Sequence, residues 1–400
     1  MIEMKRDFKI SLIALFLCMG FFMTVPDGLL ARQDFEMLKN RSANNSNVHG
    51  DFIRRGVACS ACHYKRSNSE EEWICFFCHS AEHDGQVKSR RGRKKGAKMR
   101  QRVFDRFREK AKKLDVLSVY RKEYTHPTLS VGGVHRHWEE FGGNNEPPRH
   151  AECPDCHDPH EVSQWNKFGP IEVVKKTGLK EKLKNLRDME RGEAVRDYEL
   201  CFKCHSDSVN LPVDQTNKRL DFDENNPSYH PVLAEGRNSI MPSLRDGYTE
   251  SSIITCSDCH NNDDKNGPQG PHGSNYKFIL KSRYSIEDGL AESPGDYALC
   301  YDCHKRSSIL YNESFSLHEM HIKGNPVTGS RGTSCYTCHD AHGSREYAHL
   351  IRFNEEVVFQ NPSTLEIKFV DGDQEGEGEC SLMCHGVNHN PKAYKKGPAP

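Results

Sequence analysis

Apolar side chains are scarce in this chain of 400 residues. They make up 35% of it, below the ~45–50% of ordinary globular domains, and mean hydropathy is −0.79. Side-chain burial alone would not offset the entropy of ordering so polar a chain, which excludes a conventional apolar core as its only support. Methionine is also sparse. Beyond the N-terminal segment there are only Met37, Met99, Met189, Met241, Met320 and Met383, and none falls at a repeated position. Stray cysteine is almost missing: of 17 cysteines, only Cys18 stands outside a pattern.

That pattern is Cys-x-x-Cys-His. It occurs at Cys59-Cys62-His63, Cys75-Cys78-His79, Cys153-Cys156-His157, Cys201-Cys204-His205, Cys256-Cys259-His260, Cys300-Cys303-His304 and Cys335-Cys338-His339. An eighth copy, Cys380-Ser-Leu-Met-Cys384-His385, has one extra residue between its cysteines. Paired cysteines can form zinc ribbons or disulfides. Neither explains a histidine after every second cysteine, which chance would give with a probability on the order of 10^-10, whereas covalent attachment of haem c requires it. The two thiols add to the two porphyrin vinyl groups, and the next residue then lies over the iron as its proximal ligand. Eight covalent haems are therefore expected. The eighth is the least regular, with a Cys380–Cys384 disulfide as its alternative.

Eight proximal histidines leave fourteen others, more than enough for a second ligand at every iron. Three histidines, His160, His272 and His342, follow the first motif of a doublet in the forms Asp-Pro-His, Pro-His-Gly and Ala-His-Gly. Their chain is committed to one side of its own haem, so each reads as a link to a neighbouring one. Upstream, His126, His230 and His321 precede the first motif of their units, and His49 resembles that position before the first pair. For the last iron His83, His135, His137 and His150 compete, and His137 is taken here. Two-histidine ligation throughout predicts low-spin iron of low potential, since methionine ligation would raise it.

The chain is periodic on a larger scale. His126-Pro127 precedes Cys153 by 27 residues and His230-Pro231 precedes Cys256 by 26. Asp197-Tyr-Glu-Leu-Cys201 matches Asp296-Tyr-Ala-Leu-Cys300, and the doublets 153/201, 256/300 and 335/380 are spaced by 48, 44 and 45 residues. The middle copy carries a polar insertion of nine residues around Asn261–Gln269. These periods divide the chain into a signal peptide (1–31), a flexible leader (32–48), an N-terminal dihaem segment with a basic helix (49–125) and dihaem units at 126–225, 226–315 and 316–400. The last unit includes an acidic stretch.

Lys5, Arg6 and Lys9, the apolar run Ile10–Val25 and Leu29-Leu30-Ala31 form the secretory pattern. Its alternatives are an uncleaved anchor or, less well matched, a lipoprotein at Cys18. Residues 88–113 hold fourteen Lys or Arg against Asp105 and Glu109. In an exported cytochrome this reads as a solvated face that offsets haem propionates, not a nucleic-acid site. Val103, Phe107, Ala111, Leu114 and Leu117 give its end helical spacing. Leu179, Leu183 and Leu186 suggest one more short helix. The expected fold class is therefore mostly irregular with short α-helices and little β, organised around a chain of covalently bound haems.

From about residue 49 to 389 the chain resembles the multihaem cytochromes c with doubled Cys-x-x-Cys-His motifs, carried by the forms Cys-His-Asp-Pro-His and Cys-His-Asp-Ala-His-Gly. Cys380-x-x-x-Cys384-His385 departs from that pattern. The resemblance implies an exported protein of the periplasm, outer surface or extracellular space, engaged in electron transfer with other redox proteins, an outer-membrane conduit or copies of itself in a filament. Complementary charge between 88–113 and the run Asp371, Asp373, Glu375, Glu377 and Glu379 would suit head-to-tail docking. No nucleic acid and no small-molecule substrate is expected. The rival reading is a multihaem reductase or oxidase of a small nitrogen or sulfur compound. It would need a five-coordinate iron, and no motif here ends in the lysine used by some such families. A membrane-anchored quinol dehydrogenase, retaining residues 10–25, is a third reading.

Overall fold

A computed structural model describes residues 75–76, 78–81, 105, 109–129, 151–160, 170–175, 190–207, 215–238, 240–325, 327, 329–372 and 376–395. The secretory segment and leader, Cys59, Cys62 and His63, the histidines His49, His83, His135, His137 and His150, Leu179, Leu183 and Leu186, and most of 88–113 lie outside them.

Strand pairing between distant segments frames the described residues. β1 (Tyr124–Thr125) pairs antiparallel with β5 (Gly273–Ser274), and β4 (Ser228–Tyr229) with β8 (Gly343–Ser344). Two local hairpins join β2 (Pro170–Val173) to β3 (Glu190–Glu193) and β6 (Gly324–Asn325) to β7 (Ser330–Arg331). Near the C-terminus, β9 (Val358–Phe359), β10 (Lys368–Asp371), β11 (Gly378–Cys384) and β12 (Val387–Tyr394) make a four-stranded antiparallel sheet. The expectation of little β, in a fold organised by the haem chain, is corrected by this frame. Two-residue strands are too short to leave an alternating signal, and the longer β11 and β12 do not alternate either: β11 buries the adjacent Ser381 and Leu382, and β12 is mostly exposed. The acidic residues Asp371, Glu377 and Glu379, read as a charge run, belong to this sheet region.

Helices are short. The longest described, Tyr198–His205, buries both sides. Tyr198 and Phe202, four residues apart and so on one face, pack with Val174, Phe222 and Val232. Leu200 faces Ile171 and Val173 of β2. A third cluster joins Tyr297, Tyr301, Leu310 and Ile322. Fully burying such a side chain contributes about 1.5–3 kcal/mol, so these clusters fix the helices that carry Cys201 and Cys300. The repeated Asp-Tyr-x-Leu-Cys is thereby explained in part: Tyr198 and Tyr297 are core residues. Asp197 accepts hydrogen bonds from the backbone N–H and hydroxyl of Ser257, both at 2.9 Å, tying one unit to the next motif.

Candidate haem sites

Each regular motif in the described residues is a single helical turn. In five of the six the closing bond runs from the histidine N–H to the carbonyl of the first cysteine: His79 to Cys75 at 2.9 Å, His157 to Cys153 at 2.9 Å, His260 to Cys256 at 2.8 Å, His304 to Cys300 at 2.9 Å and His339 to Cys335 at 2.9 Å; the sixth, Cys201–His205, ends the helix Tyr198–His205. Local sequence starts two of the turns by reciprocal capping. The Asp155 carboxylate takes the Glu152 N–H at 2.7 Å, and that of Asp258 takes the Thr255 N–H at 2.7 Å. After the turn the backbone becomes extended, with φ −130° at His157 and −119° at His339.

Histidine rings then meet in pairs. Ring centres of His157 and His272 are 6.2 Å apart, those of His205 and His126 6.3 Å, and those of His260 and His342 6.2 Å. His304 and His230 are 6.5 Å apart, His339 and His318 6.3 Å, and His321 and His389 6.3 Å. Five of these six pairs contain a motif histidine. Metal–imidazole bonds of about 2.0 Å on both sides of an iron, plus the distance from each nitrogen to its ring centre of about 1.1 Å, sum to ~6.2 Å. The residues therefore fit haem c held between two imidazoles. Ordinary aromatic pairs spread over about 4.5–7 Å, a far wider range than these six.

The outer nitrogens support the same fit. Nδ1 of His126 lies 2.6 Å from the Pro271 carbonyl oxygen, that of His260 2.8 Å from Phe278 O, and that of His339 3.0 Å from His349 O. Nδ1 of His321 lies 2.8 Å from Leu317 O, and that of His230 contacts Ala341 O. Nδ1 of His342 lies 3.0 Å from Asp340 Oδ1. A ring that donates from Nδ1 presents a bare Nε2 to a metal. Burial pushes His260, His272, His304 and His339 down to about 4 and His318 to about 3; the neutral ring is the ligating form.

The linking histidines are placed by short turns and a close strand. In Cys-His-Asp-x-His the aspartate accepts the N–H of the second histidine, His160 from Asp158 and His342 from Asp340, each at 2.9 Å. This is a compact Asx turn. With its insertion, the middle copy uses the Gly270 carbonyl instead, 2.8 Å from His272 N. The glycine that follows is needed for space. A Cβ on Gly273 would stand 2.3 Å from Val119 O, and one on Gly343 2.0 Å from Asp221 O. Each ribbon thus carries two histidines toward two motifs. His126 and His272 flank β1 and β5 and face His205 and His157, while His230 and His342 flank β4 and β8 and face His304 and His260.

Cysteine positions give the spatial order of the motifs. The side chains of Cys201 and Cys256 are neighbours, as are those of Cys300 and Cys335. Cys156 lies near Cys201, Cys300 and Cys303 lie near Cys259, and Cys380 and Cys384 lie near Cys338. Consecutive motifs in sequence are thus neighbours in space from Cys153 to Cys384. No disulfide joins Cys380 to Cys384, and no group of three or more metal-ligating side chains forms a zinc-type cluster among the described residues.

Three placements differ from the spacing argument. His318, one of the fourteen available histidines but not one of those chosen, faces His339. His321 faces His389, likewise available and not chosen. His385 meets no histidine ring in the described contacts; its Nε2 lies 3.1 Å from Asp288 Oδ2. The signal for His318 was available, since it sits three residues before His321 on the helix His318–Lys323 and so on nearly the same face.

A family model described as outer membrane cytochrome MtrC/MtrF-like, domains II/IV, matches residues 184–350, less than half of the chain. No curated protein and no solved structure matches. The matched stretch holds the motifs at Cys201, Cys256, Cys300 and Cys335. It is similar to a multihaem cytochrome family of the electron-transfer kind, and haem c is the cofactor that such a family carries. No helix among the described residues is long and apolar enough to cross a membrane.

Proposed function

We propose that the protein is an octahaem c-type cytochrome that passes electrons along a row of closely spaced sites at the outer surface of the cell. The observation that carries this reading is the set of histidine pairs, all within one chain, each at the separation that two iron–imidazole bonds require. Haem c supplies a reversible one-electron iron couple. The chain's own residues do the rest. Cysteines of neighbouring motifs lie side by side, so the haems they attach would be closely spaced. Two imidazoles per iron leave no face for a substrate, which favours a carrier over a reductase or oxidase.

The ligand assignment follows the pairs: His157 with His272, His205 with His126, His260 with His342, His304 with His230 and His339 with His318. The repeat extends it to the N-terminal pair. A histidine upstream of a doublet serves the doublet's second iron, and the histidine after a first motif serves the preceding doublet's first iron. His49 then falls to His79, and His160 to His63. Units 49–125, 126–225, 226–315 and 316–400 are interlocked by this exchange. His339 is served from within its own unit, by His318 of the helix His318–Lys323. None of the six described pairs needs a ligand from a second copy, so a filament is not required to complete them.

The outer-membrane family match and the secretory pattern support an exported, surface-exposed protein whose partners are other redox proteins or an outer-membrane conduit. The test is the intact mass of the purified holoprotein, followed by reoxidation of the reduced form with a soluble ferric chelate. The expected result is eight covalent haems, all reoxidised together, with no turnover of nitrite, hydroxylamine or sulfite. Fewer haems, or steady turnover of one of these compounds, would contradict the proposal.

A further inference from the structure

The eighth motif does not fold like the other described ones. Its cysteines lie on strand β11, with a register shift between Cys380 and Leu382, instead of on a helical turn. Cys384 pairs with Val387, so His385 and Gly386 form the two-residue loop of a β-hairpin. Both have positive φ, +50° and +76°, as a type I′ turn demands. The extended backbone that follows the helical turn at His157 and His339 is absent here. His385 is exposed, and its Nε2 is engaged by Asp288. Asp288 is in turn fixed by the backbone N–H of Ser334 and the hydroxyl of Thr337, each at 2.6 Å.

His389 stands where His385 does not. It lies opposite Leu382 in the β11–β12 register, and Leu382 is two residues from Cys384. Side chains two apart on a strand, and those directly opposite across a ladder, share one face. His389 therefore lies on the same face of the hairpin as Cys384 and the buried Leu382. Its ring is 6.3 Å from that of His321, with planes 28° apart, matching the other pairs.

We infer that the haem attached at Cys380 and Cys384 takes His389 and His321 as its two axial ligands, and that His385, the residue of the attachment motif, is not a ligand but a hairpin-turn residue held by Asp288. The inserted residue in Cys-x-x-x-Cys accompanies this change: the motif has become a strand, and a histidine from the returning strand does the work of the adjacent one. The inference rests on the octahaem reading and deepens it at one site.

The experiment compares His389→Ala and His385→Ala holoproteins, each first checked by intact mass. The haem count of the natural protein tests the octahaem reading, and loss of one haem in His385→Ala would count against the assignment, since attachment would then need that histidine. The spin state tests the assignment. In His389→Ala one haem in eight should become high-spin when oxidised, bind carbon monoxide when reduced, and return to low-spin on adding free imidazole. His385→Ala should remain wholly low-spin. His389→Met, the variant to use if the alanine form does not accumulate, should keep the iron six-coordinate and add one haem's worth of a methionine–iron charge-transfer band. A high-spin haem in His385→Ala, or no change of ligation in either His389 variant, overturns the assignment.

Discussion

Gly343 shows how much of the ligand geometry depends on a missing side chain. It follows His342, pairs with Tyr229, and leaves space where a Cβ would meet Asp221 O at 2.0 Å. Its neighbour His342 is aimed at His260 by the Asp340 turn and by the ribbon together. Gly343→Ala should therefore cost about 1–3 kcal/mol or more, as overpacking against fixed backbone does, and should loosen His342 from its iron. A thermal melt of the holoprotein would show a lowered transition, and its oxidised spectrum a new high-spin fraction; an unchanged melt would mean that β4 and β8 are not rigidly paired. At this scale the sequence was most informative. The Cys-x-x-Cys-His turns and the Asp-x-His-Gly form are written in adjacent residues, because every constraint in them is local. His389 was illegible for the opposite reason: its place depends on a hairpin register that brings it opposite Leu382.

The elements are held across units by ribbons and by a few charges. Lys122, just ahead of β1, reaches Asn262 and Asp263 in the inserted loop of the middle unit. Burial alone would raise the Asp263 carboxyl. The hydrogen bond and charge of Lys122, with help from Asn275, outweigh it and hold the group below its ordinary value. A depressed folded pKa means stability that is present above the unfolded value of about 3.9 and lost as pH falls through the folded one. Asp263→Asn should lower the melting temperature at neutral pH, and its difference from the natural protein should shrink as pH drops below ~4. A difference that persists unchanged at pH 3 would assign the loop's contribution to packing alone. The insertion Asn261–Gln269 was visible in the sequence as a polar interruption. Its role as a brace was not, because Lys122 is 141 residues away from Asp263.

For the whole molecule, the repeat period was readable and the strands were not. Spacings of 44 to 48 residues between motifs come from sequence alone, while β1–β5 and β4–β8 join segments far apart with two residues each. Such pairing carries no periodic trace, so the β frame and the meeting of histidine rings from distant segments emerge only in three dimensions. In the proposed ligation every iron in this row is closed by two histidines from the same chain, which favours a carrier over a catalyst. Electron paramagnetic resonance of the oxidised, full-length holoprotein, with spins counted against total iron, tests it most directly. Low-spin ferric haem alone is expected; a high-spin signal integrating to one haem per chain would mean an open iron face and overturn this ligation.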